Sequence, residues 1–148
     1  MKILILGGYG VFGGRLARLL GDRADLELLI CGRNLAAATA FCDSYTGAPV
    51  LRPLQADRQH IAPLLNAERP DLLVDASGPF QDYGEHPYSV IEACIAARIP
   101  YLDFADAADF VFGVAQFDAQ AKAAARTEQE MGKLTQSLGL PADFKLPF

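Results

Sequence analysis

The chain opens on a short apolar run, Ile3-Leu4-Ile5-Leu6, that passes without a spacer into Gly7-Gly8-Tyr9-Gly10-Val11-Phe12-Gly13. No other stretch limits the fold as much. Gly8, Gly10 and Gly13 make a GxGxxG spacing, and Phe12, Leu16, Leu19 and Leu20 follow at i, i+4, i+7 and i+8, the face of a helix that starts inside the motif. A buried strand, a tight turn at Gly8, bare backbone at Gly10 and close strand–helix packing at Gly13 present the N–H groups and positive end of a helix to an anion. That combination suits the diphosphate of a dinucleotide.

The rest of the chain repeats the alternation. Strand candidates are Ile3–Leu6, Leu26–Cys31, Val50–Leu51, Leu72–Ala76 and Tyr101–Phe104. Between them, Leu35, Ala38, Phe41, Cys42 and Tyr45 mark one helix face, Ile61, Leu64 and Leu65 another, and Ile91, Cys94 and Ile95 a third. Asn34 and Asp57 are placed as helix N-caps, and Pro87 suits a first helical turn. Strand–helix alternation with short connections implies parallel strands joined by right-handed crossovers. The expected fold is therefore α/β, a Rossmann-type doubly wound parallel sheet of about five strands in the order 3-2-1-4-5 with helices on both faces. Ligands then lie over the carboxyl ends of the strands, beside the switch point between the first and the fourth.

Composition narrows the function. At 148 residues the chain fits one domain with a real core. A net charge of −5 without a basic cluster argues against nucleic acid or an anionic membrane as partner. No apolar run approaches transmembrane length, and Gly7-Gly8 interrupts the first one too early for a signal-peptide core, so a cytoplasmic location is expected. Cys31, Cys42 and Cys94 form no CxxC pair and sit among apolar neighbours, as small buried hydrophobes do. His60 and His86 lack ligand spacing to any cysteine or acid cluster, and no metal site is expected.

The end of the second strand selects the cofactor. An Asp or Glu there would hydrogen-bond the adenosine ribose of NAD. This chain has Cys31-Gly32-Arg33-Asn34, with no carboxylate and with a guanidinium able to receive a 2′-phosphate as a fork. NADP is expected over NAD, with Arg33 and Asn34 as contacts; Arg33 as a solvated loop residue and Asn34 as a cap are the competing roles. Asp57, after the third strand, would border the adenine or only cap a turn. Ser77 and Gly78, after the fourth, would lie along the cofactor or only turn the chain. Asp75, Asp103 and Asp106 stand at or near strand ends on the ligand edge and are acid–base candidates, none of them assigned; for Asp75 the stronger reading is a cap of the next turn, as an Asp closing a strand often is.

Taken together, GGYGVFGGRLARLL, ICGRN, VDASGPFQDYG and ACIAARIPYLDFAD resemble the N-terminal domain of the saccharopine dehydrogenase-like oxidoreductases over about residues 1–126. The resemblance implies that Gly8, Gly10, Val11, Phe12 and Gly13 surround the diphosphate through their backbones. It puts Arg33 at the adenosine phosphate, Ser77 and Gly78 beside the cofactor, and Asp103 and Asp106 near the nicotinamide end. It implies hydride transfer to or from an imine or secondary amine, with NAD(P) as carrier and a separate substrate domain to orient the reaction.

The chain departs from that pattern after Ala125-Arg126, where a sixth strand and the substrate domain would follow. Residues 127–148 show no strand-like run, and the ending Phe144-Lys145-Leu146-Pro147-Phe148 is a poor helix or strand. The expected organisation is a cofactor-binding domain at 1–126 and an atypical tail at 127–148 without a substrate domain, truncated relative to the family. The function is then the cofactor half of an oxidoreductase, incomplete alone, completed by a partner chain or self-associating at an exposed sheet edge. The alternative is a non-catalytic NADP-binding or sensing module. Gly7, Gly10 and Gly13 also satisfy the spacing of short-chain dehydrogenases, but no tyrosine has a lysine four residues on, which removes the catalytic version of that reading and leaves a sensing one.

Overall fold

The computed structural model describes residues 1–79 and 85–137. Five strands, β1 (Lys2–Leu6), β2 (Glu27–Gly32), β3 (Val50–Gln55), β4 (Leu72–Asp75) and β5 (Tyr101–Asp103), alternate with helices α1 (Val11–Leu19), α2 (Leu35–Asp43), α3 (Ala62–Glu68) and α4 (Ser89–Ala97). A 3-10 turn, Arg58–His60, precedes α3, and a long α5 (Ala108–Ser137) follows β5. The strands are all parallel in the order β3-β2-β1-β4-β5. This is the Rossmann-like α/β sheet expected from the sequence. The end of the Ser77–Phe80 turn and the residues beyond 137 lie outside the described residues.

Both faces of the sheet are buried, so the central strands read as continuous apolar runs instead of alternating ones. Ile3, Ile5, Leu28, Ile30 and Val74 form one face against Ala17 of α1 and Ala38 of α2. Leu4, Leu6, Leu29, Cys31 and Leu73 form the other, against Ile61, Leu65 of α3 and Val90, Cys94 of α4. The pairing Leu6↔Cys31 and Leu6↔Asp75 brings the ends of β1, β2 and β4 level.

Three local expectations are corrected. β3 runs to Gln55 instead of ending at Leu51, because a proline at position 53 is tolerated in an edge strand, where one side needs no ladder donor. In α1 the buried face is Gly13, Gly14 and Ala17, whereas Phe12 and Leu19 are 63% and 71% exposed. The helix lies so close to the sheet that only small residues fit beneath it, and Leu16 and Leu20 pack at its flanks. Pro87 precedes α4 rather than opening it; the proline in a first helical turn is Pro63, in α3.

The chain divides into two compact units, Met1–Phe112 and a second that begins at Gly113, within α5. The second continues as helix to Ser137, through the boundary expected at residue 126, and carries an exposed Lys122–Asp118 pair one helical turn apart. No helix among the described residues is long and apolar enough to cross a membrane.

Candidate functional site

The glycine turn is built on the end of β2. The amides of Gly7 and Gly8 both donate to the Cys31 carbonyl, at 2.8 and 3.0 Å. Two donors on one acceptor fold the chain sharply, and the residue that takes up the bend is Gly7, at φ +77°, not Gly8. There an L side chain would be strained, and a Cβ would meet the Ala76 carbonyl carbon at 2.8 Å. Gly13 closes the turn from behind: a Cβ on it would stand 2.8 Å from Gly8 Cα and closer still to the Gly7 carbonyl oxygen. Gly8 and Gly13 are thus packing residues beneath the turn, and Gly10 is its open face.

Gly10 is the N-cap of α1. It supplies no side-chain cap, and the first turn of the helix carries no acidic residue. The amino end of α1 therefore keeps its positive field for an external anion. Over it lies a cleft of about 1030 Å³ along the carboxyl ends of the strands. Of the residues expected to bind cofactor, Gly10, Val11, Phe12, Arg33, Asp57, Ser77 and Gly78 line this cleft; Gly8, Gly13 and Asn34 do not.

Arg33, after β2, is exposed and forms no ion pair among the described residues. Its backbone is fixed instead: its carbonyl accepts from Gln55 Nε2 at 3.2 Å. Asn34 has a different occupation. Its side chain caps α2 by accepting from Ala37 N at 3.1 Å, and its own amide donates to the Tyr9 hydroxyl at 3.0 Å. Asp57 both lines the cleft and caps the 3-10 turn, accepting from Gln59 N at 3.0 Å.

Beyond β4 the cleft wall rests on a buried ion pair. Asp75 is fully buried and accepts from Ser77 N at 3.0 Å and Ser77 Oγ at 2.6 Å. Its second oxygen accepts from Arg58 Nη2 at 3.1 Å, and Arg58 Nη1 reaches the Pro87 carbonyl at 3.4 Å. Arg58 so ties the connection after β3 to the connection after β4, and it lines the cleft itself. Of the acid–base candidates, Asp75 is committed to this pair, and Asp103 accepts from Ala105 N at 3.0 Å. Asp106 lines the cleft. Burial pushes the Cys31 and Cys94 thiols up to about 12, so neither is a thiolate near neutral pH.

Sequence reasoning missed Tyr9, Arg58 and Phe104 as cleft residues. Phe104 stacks on Phe12 with ring centroids 6.1 Å apart, so two exposed rings meet at the cleft. A cation next to the Asp57 cap was the available signal for Arg58; its partner, distant in sequence, was not visible.

The family model described as the saccharopine dehydrogenase NADP binding domain matches residues 3–139. Among solved structures, apo saccharopine dehydrogenase (L-Glu forming) from Saccharomyces cerevisiae is similar with a TM-score of 0.58 and 17% identity, over 76% of this chain and 23% of that enzyme. The Bordetella bronchiseptica enzyme WbmG, solved with NAD and UDP, gives 0.52 and 17% over 70% of this chain and 36% of its own. Pseudomonas aeruginosa RhlG, solved with NADP, gives 0.51 and 16% over 92% and 66%. At these identities the likeness is one of fold, and the chain spans about a quarter of the length of the yeast enzyme. None of the curated proteins matches the chain in sequence. With the family match running over nearly its whole length, on a glycine turn and a sheet of the form described above, the chain belongs to the saccharopine dehydrogenase NADP-binding domain family.

Proposed function

We propose that this chain is the cofactor half of an oxidoreductase and that the cleft holds NADP in a defined direction. The diphosphate lies over Gly10 and the amino end of α1, touching Val11 and Phe12 through the backbone, with Gly8 and Gly13 shaping the turn beneath. The adenosine 2′-phosphate meets Arg33, Asp57 borders the adenine, and Ser77 and Gly78 run along the other half of the molecule. The observation that carries this reading is the pairing of an uncapped helix terminus with an exposed arginine at the end of β2, where an NAD site would hold a carboxylate. Bound there, NADP would supply a hydride to an imine or related small substrate, or accept one from the corresponding amine. The chain's own residues bind and orient it.

A second reading, a non-catalytic NADP-binding or sensing module, is favoured by the carboxylates. Asp75 is occupied by Arg58 and Ser77, and Asp103 by a backbone amide, so two of the three candidate acids are engaged structurally. Under the first reading the substrate is bound outside the cofactor-binding fold described above. Strand β5, paired on one side only among the described residues, is then where a partner chain or second copy would extend the sheet.

Titration of the purified chain with NADPH and with NADH by calorimetry tests the shared core of both readings. NADPH is expected to bind more tightly. Arg33→Ala should cost about 10- to 100-fold of NADPH affinity, as a charge-assisted hydrogen bond does, while leaving NADH nearly unchanged. Equal affinity for the two cofactors in the unmodified chain would overturn the assignment of Arg33.

A further inference from the structure

Tyr9 is the residue between the first two glycines of the fingerprint, and nothing in the motif calls for an aromatic side chain there. Its placement is nonetheless tightly defined. The ring lies against Gly32, the last residue of β2: a Cβ on Gly32 would stand 2.6 Å from the Tyr9 hydroxyl oxygen and 2.7 Å from Cζ. The absence of a side chain at position 32 is what lets the ring lie over the strand end. The hydroxyl then accepts the amide of Asn34 at 3.0 Å, immediately after Arg33. Both Tyr9 and Arg33 line the cleft, and Tyr9 is half-buried.

A phenol oxygen that accepts one hydrogen bond still has its own proton to give. No described residue receives that proton from Tyr9. The donor is therefore held at the end of β2 by its ring on one side and by the Asn34 amide on another, within the turn that carries Arg33. Helix α2 begins at the next residue, Leu35, with no acid in its first turn, which adds to the positive field there.

We propose that Tyr9 is a specificity-determining residue, donating its phenolic hydrogen bond to the 2′-phosphate of the adenosine moiety beside Arg33. This rests on the assignment of Arg33 given above and extends it from a single charge to a two-point site. Arg33 supplies an exposed cation; Tyr9 supplies a directed donor whose position is set by packing against Gly32. A hydrogen bond to a phosphate oxygen is worth more than the same bond to a ribose hydroxyl, so the phenol favours the phosphorylated cofactor.

The test is calorimetric titration of the full chain and of Tyr9→Phe with NADPH and with NADH. The phenylalanine keeps the ring against Gly32 and removes the proton. The expected result is a roughly tenfold weakening for NADPH with NADH changed less than about twofold. The lost acceptor for Asn34 N–H acts by way of the turn that carries Arg33, so Tyr9→Phe is repeated in the Arg33→Ala background: a direct bond to the phosphate still lowers the NADPH/NADH ratio there, and an effect carried through Arg33 does not. An unchanged ratio, in a chain that prefers NADPH, overturns the role of Tyr9 and leaves Arg33 standing. No NADPH preference in the unmodified chain overturns both. If Tyr9→Phe does not fold, Gly32→Ala, whose Cβ must displace the ring, serves instead. It is expected to lower the ratio in the same direction, and an unchanged ratio overturns the proposal.

Discussion

Arg33 and Arg58 line one cleft and are held in opposite ways. Arg33, after β2, is exposed and pairs with no described residue. Arg58, after β3, has a side chain 16% exposed and turns it to a carboxylate that is wholly buried. The first arrangement leaves a solvated charge open to the cleft. The second neutralises the charge internally and uses it as a tie between two connections that form the cleft wall. An arginine that lines a ligand site is therefore not by that fact a ligand contact; what it is already paired with decides. A third arginine, Arg52, stands between these extremes, 40% exposed and engaged with Glu27 and Glu68.

The largest consequence falls on stability. Arg58→Ala leaves Asp75 buried without its cation, and removal of one partner from a buried pair costs about 3–5 kcal/mol. For a chain of this length that lowers the melting temperature by about 10 °C. Arg33→Ala, by contrast, is expected to change stability by less than about 0.5 kcal/mol. Thermal denaturation of the two variants side by side sharpens the contrast. A comparable loss in both would show that Arg33 is structural too.

Gly13→Ala comes next, because here fold and site share one residue. The new methyl group would press on backbone at Gly7 and Gly8, which cannot rotate away, and overpacking of this kind costs about 1–3 kcal/mol. The same shift moves the turn over which the diphosphate is proposed to lie, so denaturation and NADPH titration should worsen together. Lost stability with unchanged affinity would separate the turn from the cofactor.

The size of these effects does not follow how much of each feature can be read in the chain. The glycine turn, the strand order and the place of Arg33 at the cleft were legible because they depend on local spacing and on where a parallel sheet opens its cleft. The buried face of α1 does not follow from the periodicity of its large side chains, because the helix approaches the sheet on Gly13, Gly14 and Ala17. Helices α3 and α4 end on Arg69 and Arg98 in the left-handed region, where a sequence reading looks for glycine. The Arg58–Asp75 pair was not legible at all: it joins residues 17 apart that meet only once β3 and β4 lie in one sheet. Asp75 does cap the turn after β4, as an Asp closing a strand is expected to, but position on the ligand edge says nothing of its cation partner.

Arg52 supplies the smallest effect and the finest test of the comparison. Hydrogen bonding to the Arg52 guanidinium holds the Glu68 carboxyl below its ordinary value, and Glu68 holds the guanidinium above its own. A carboxylate whose value is depressed on folding adds stability that is fully present above its unfolded value of about 4.3 and is lost as the pH falls through the folded one. The pair is part-exposed, so solvent screening limits the contribution to about 0.2–1 kcal/mol. Urea denaturation of the unmodified chain and of Arg52→Met should differ by that amount near neutral pH, and the difference should shrink on acidification below about pH 4. Salt should shrink it as well, because a half-exposed pair is open to counterions. The Arg58–Asp75 pair, whose carboxylate is wholly buried, should keep more of its effect in the same salt. If the two pairs respond alike, burial is not what distinguishes the architectural arginine from the others; if only the Arg52 pair fades, it is.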